Sequence, residues 1–108
     1  PVFVAFNAVF DWMFVDAYFQ RYLKRNPFGH SALDIKAYYM GMAGVSWGET
    51  SMRFLSPLYL QGQHLSHNAL GDARDQAELF RRIRAEAERR RSQQDAGEPD
   101  AGPTRRFP

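Results

Sequence analysis

The chain has 108 residues, of which 44% are apolar and 15% aromatic, enough for one modest core and no more than one domain. Cysteine is absent, so disulfide frameworks, thiolate metal sites and cysteine nucleophiles are excluded, and any metal must be held by oxygen or imidazole. A formal charge of +2 is too small to argue for nucleic acid by itself.

Val2 to Phe6 reads as a short strand whose unbroken apolarity predicts burial on both faces, as in the middle of a sheet. Such a strand needs neighbours on both edges, and little of this sequence supplies them. From Ala8 or Val9 the period becomes helical, with Phe10, Phe14, Ala17, Tyr18 and Tyr22 recurring at steps of three and four as far as Lys24 and Arg25. Asn26-Pro27 stops that helix. Pro1 to Phe19, the longest apolar stretch, contains Asn7, Asp11 and Asp16 and has no basic leader, so it is a poor membrane span and no signal peptide. A cytoplasmic protein that avoids membranes is the expectation.

Phe28 to Leu33 is expected to form a second strand and Ile35 to Met42 a short helix. Val45 to Gly62, with Trp47 and Pro57, reads as loops around a short helix near Thr50 to Leu55. The final helix is marked by a stripe at Leu70, Ala73, Ala77, Phe80, Ile83 and Ala87, with arginines and glutamates opposite. Beyond Ile83 the composition turns charged and Pro/Gly-rich, too poor in apolar surface to offset ordering entropy. The expected division is residues 1–83 as the folded unit and 84–108 as a charged helix end and disordered tail.

Asp11 is the first chemical anomaly, one turn into a helix and flanked by Phe10, Trp12 and Met13, where an uncompensated carboxylate is costly. Support of the helix dipole is the ordinary explanation, metal ligation the alternative. His67 and Asp72 form the second pair. Five positions place helical side chains about 140° apart, so His67 must lie in the loop before the helix and fold back over Asp72 in the first turn. A loop histidine and a first-turn aspartate are also commonplace without function. His30 and His64 have no such framing and read as surface residues.

Together these residues become specific. Phe6-Asn7-Ala8-Val9-Phe10-Asp11 resembles the second motif of the DnaQ-like, or DEDDh, 3′–5′ exonucleases, and His67-Asn68-Ala69-Leu70-Gly71-Asp72 resembles their third, H-x-x-x-x-D. Ala32-Leu33-Asp34 resembles the strand-end aspartate between them. The resemblance covers Val2 to about Ile83 and implies an α/β class, specifically a partial RNase H-like fold of short central strands with flanking helices. It implies two Mg²⁺ or Mn²⁺ ions in a complete domain, hard cations suited to oxygen ligands. Asp11 and Asp72 would be metal ligands, His67 the general base, and Phe10 and Asn7 substrate contacts. Histidine suits that task because its ordinary pKa lies near neutrality. The implied substrate is a single-stranded 3′ end of DNA or RNA.

The family's first motif, D-x-E, does not precede Asn7 in this sequence. Activity in this chain alone is therefore expected to be slight, and the expected partners are a missing amino-terminal segment or a homodimer. The other class of reading is a non-catalytic nucleic-acid-binding or structural remnant. In that reading Arg81, Arg82, Arg84, Arg89, Arg90 and Arg91 would touch phosphates, although such a run is more often a solvated helix face.

Overall fold

A computed structural model describes residues 1–60 and 68–97 of the chain. The order of elements is β1 (Phe3–Ala5), α1 (Ala8–Leu23), β2 (Ala32–Asp34), α2 (Ile35–Ala43), a 3₁₀ helix (Trp47–Thr50), α3 (Met52–Tyr59) and α4 (Ala69–Gly97). It is a mixed α/β arrangement: a β-α-β unit whose two strands pair in parallel, with Phe3, Val4 and Ala5 opposite Ala32, Leu33 and Asp34.

The pleat divides β1 between two layers. Phe3 turns toward α1, where its ring meets Trp12 at 5.8 Å and Phe28 at 5.4 Å. Val4 and Phe6 turn the other way and pack on the core, which is built from Ile35 and Tyr39 of α2, Leu55 of α3, Leu60, and Leu79 and Ile83 of α4. Both faces of β1 are thus covered, as its apolarity demands. Among the described residues only one of its edges is paired.

Three details differ from the sequence reading. Residues 28–31 do not begin the second strand. The Asn26 side chain accepts the Phe28 N–H at 2.9 Å, the Gly29 N–H reaches Asn26 O at 3.0 Å, and Gly29 takes φ +80°, so a tight turn occupies that stretch and releases Phe28 to pack on Phe3 and Phe19. Residues 47–59 are more helical than expected, Pro57 included. Pro57 forfeits one helical bond, and burial of Leu55 and Leu60 against the core outweighs that loss. The inward line of α4 runs through Gln76, Leu79, Ile83 and Glu86, while Leu70 is 61% exposed. Helix α4 runs on past Ile83 to Gly97.

That continuation touches the body of the protein. The Tyr59 hydroxyl donates to Glu86, Arg82 donates to the Tyr59 carbonyl, and Arg90 donates to the Met42 carbonyl at 3.3 Å. The expected disordered tail from residue 98 onward lies outside the described residues. No described helix is long and apolar enough to cross a membrane.

Candidate nuclease site

The two parallel strands end on the same side, at Ala5 and Asp34, and ligand sites of open α/β sheets gather beyond such carboxyl ends. At that edge Asn7 caps α1 in the left-handed conformation, φ 60° and ψ 57°, a geometry that asparagine tolerates better than most residues. Its side chain makes no capping hydrogen bond. The capping is done by another residue: Asp34 Oδ1 accepts the Ala8 N–H at 3.0 Å, and Asp34 Oδ2 accepts the Ala37 N–H at 3.1 Å. One carboxylate therefore closes the amino termini of α1 and α2 together. The strand-end aspartate noticed in the sequence is a structural clamp in this geometry, with each oxygen holding a backbone amide.

Asp11 stands in the first turn of α1, half-buried, and Phe10 beside it is 57% exposed with its ring edge-to-face on Phe14 at 5.2 Å. Asp72 occupies the first turn of α4, also half-buried. Asn68 caps that helix, its Oδ1 accepting the Gly71 N–H at 2.6 Å and its carbonyl accepting the Asp72 N–H at 3.0 Å. One turn further, Gln76 Oε1 accepts the Phe6 N–H at 3.0 Å. Since Phe6 immediately precedes the cap of α1, this bond ties the start of α4 to the start of α1. The bond fixes the second turn of α4, one turn beyond Asp72, to the strand end that leads into α1.

His67 lies outside the described residues, so the proposed fold-back of its ring over Asp72 is not placed. Among the described residues no three acidic or imidazole side chains group closely enough to hold a metal ion. Asp11 and Asp72 are the right donor type for a hard cation and too few for a two-ion centre.

Lys36 was missed by sequence reasoning. It sits in the first turn of α2, with its ammonium 5.5 Å from the Phe6 ring and 4.7 Å from the Trp47 ring. A cation at a helix amino terminus opposes the helix dipole, and that misplacement was the available signal. The arginine run on α4 is largely engaged within its own helix: Arg81 and Arg82 with Glu78, Arg84 with Glu88, and Arg90 with Glu86. This matches a solvated helix face more closely than a phosphate-binding strip.

No family model matches the chain. It is 50% identical over 82 residues to a protein of Escherichia coli named 3'-5' DNA exonuclease Cap18, a match covering 76% of this chain and 44% of that relative. The chain thus spans less than half the length of the curated relative it matches.

Proposed function

We propose that this chain is the part of a DnaQ-like 3′–5′ DNA exonuclease that carries the second and third catalytic motifs of an RNase H-like domain. The observation that supports the reading is the Gln76 to Phe6 hydrogen bond, which joins the helix bearing Asp72 to the strand end that leads into the helix bearing Asp11. Half-identity to a protein named as a DNA exonuclease supports the same reaction class and favours DNA over RNA.

In this reading Asp11 and Asp72 are ligands for Mg²⁺ or Mn²⁺, and a D-x-E segment from outside these 108 residues supplies the remaining carboxylates. Bound cations would neutralise the scissile phosphate and acidify an attacking water. The chain's own residues do the rest. His67 removes the proton from that water, a role suited to imidazole near neutral pH. Phe10, exposed beside Asp11, stacks against the terminal nucleotide. The unused side chain of Asn7 faces solvent at the strand end and is available to hydrogen-bond the substrate. Asp34, by clamping both helix starts, holds Asp11 in place.

The test is digestion of 5′-labelled single-stranded DNA by the protein that carries this segment together with a D-x-E strand. A ladder of products shortened from the 3′ end is expected with Mg²⁺ and none with chelator. Asp72→Asn and His67→Ala should each lower the rate by about 10²–10⁴-fold. Undiminished digestion by both variants would refute the assignment. The 108-residue chain by itself is expected to digest slowly or not at all.

A further inference from the structure

Lys36 stands in the first turn of α2, where a cation opposes the helix dipole and costs stability. The fold nevertheless holds the side chain in place. It is half-buried, with its ammonium 5.5 Å from the Phe6 ring and 4.7 Å from the Trp47 ring. Among the described residues it makes no ion pair and no hydrogen bond, whereas Arg81, Arg82, Arg84 and Arg90 on α4 each have a glutamate partner. Ring faces attract the charge without supplying an oxygen acceptor, so the three donors of the ammonium are left for an anion from outside.

The position of Lys36 narrows the choice of anion. Phe6 donates its N–H to Gln76 of α4 and immediately precedes Asn7, the cap of α1. Asp34 accepts from Ala8 in α1 and from Ala37 in α2, so both helices start within reach of one carboxylate. The ammonium therefore lies beside the strand end from which the helix of Asp11 departs. Two exposed rings belong to the same region: Phe10 in the first turn of α1, 57% exposed, and Trp47 against Lys36 itself, 50% exposed. A single strand of DNA presents phosphates and stackable bases in alternation, which matches a cation set among exposed aromatic rings.

We propose that Lys36 is a phosphate-binding residue for single-stranded DNA, its ammonium held between Phe6 and Trp47 to meet a backbone phosphate other than the scissile one. The choice of ligand rests on the nuclease reading, and Lys36 itself takes no part in hydrolysis. Holding the flexible side chain between two rings before the strand arrives lowers the ordering cost of the contact. A compact ammonium gives charge without base selectivity, as a backbone contact requires.

The experiment uses the protein that carries this segment together with a D-x-E strand, and measures anisotropy of a fluorescein-labelled oligothymidylate in chelator at several salt concentrations. In Lys36→Gln, binding at low salt should weaken roughly tenfold, and the slope of log affinity against log salt should become shallower by about 0.7, the value for one phosphate contact on a single strand. Lys36→Arg, which keeps the charge, should recover most of both. The melting temperature of Lys36→Gln should stay nearly constant, because lost ring contacts and relieved dipole opposition are of similar size. With Mg²⁺, KM should rise and kcat hold.

A second measurement leaves the site intact. The segment has two lysines, and Lys24 lies at the far end of α1, whose 16 residues span about 24 Å. The oligonucleotide should protect Lys36 from acetic anhydride and leave Lys24 as reactive as before. An unchanged salt slope in Lys36→Gln, no recovery in Lys36→Arg, or an equal change at both lysines would each overturn the proposal. If His67→Ala still abolishes digestion in that case, the nuclease assignment stands without the Lys36 contact. A slope that depends on Lys36 in a protein that digests no DNA would instead remove the nuclease assignment and keep the contact.

Discussion

At the scale of single residues, Asp34 connects more of the structure than any other polar side chain near the strand ends. Each of its oxygens satisfies a helix-terminal N–H, on Ala8 and on Ala37. Loss of one such cap costs about 0.5–2 kcal/mol, so Asp34→Ala should destabilise the chain by roughly 1–4 kcal/mol in urea unfolding. Asp34→Asn, which keeps one accepting oxygen, should cost less. Tyr59 gives a second prediction. Burial, and then the bond and charge of Glu86, raise its hydroxyl pKa well above the ordinary tyrosine value. A raised acid pKa means that the unfolded chain loses this proton first, near pH 10, so the contribution is intact below that pH and is lost as pH climbs beyond it. Thermal denaturation between pH 9 and 11.5 should therefore show an alkaline fall in stability that is shallower in Tyr59→Phe. Equal slopes in both proteins would disprove the linkage.

Among whole elements, α4 shows how periodicity can be right about a helix and imprecise about its face. Ile83, on the expected stripe, is fully buried, while Leu70, on the same stripe, is mostly exposed. Leu79, absent from the stripe, is fully buried. Cavity energetics then separate the three: Leu79→Ala and Ile83→Ala should each cost about 2–5 kcal/mol, and Leu70→Ala no more than about 0.5 kcal/mol, by urea midpoint. The continuation of α4 beyond Ile83 has its own consequence. Glu86 and Arg90 reach Tyr59 and Met42, so substituting both by alanine should lower the melting temperature although neither lies in the apolar core. An unchanged melting temperature would show those contacts to be energetically idle.

Across the whole molecule, the apolar core lies on one side of the β pair. It joins α2, α3 and α4, whereas α1 on the other side buries only Ala8 fully. Local opening should follow that asymmetry. In dilute solution, amides in the middle of α1 should exchange with deuterium faster than those around Ile35, Leu55 and Ile83. Uniform protection across both regions would contradict the division.

The linear sequence was enough for whatever depends on near neighbours in the chain. The change from an unbroken apolar strand to a helical period at Asn7, the stop at Asn26-Pro27 and the helix after Asn68 all appear in the fold, because turn chemistry and helical periodicity are local properties. What residues far apart in the chain decide together was not visible in it. Phe28 became a turn residue because Asn26 could close on it while its ring filled space between Phe3 and Phe19. The stripe of Phe10, Phe14, Tyr18 and Tyr22 that the periodicity of α1 picks out is exposed, and Trp12 and Phe19 face the sheet instead, since burial is settled by what lies opposite. Asp34 as a double clamp, Gln76 as the tie between two helix starts, and Lys36 between two rings exist only once separate elements are brought into contact.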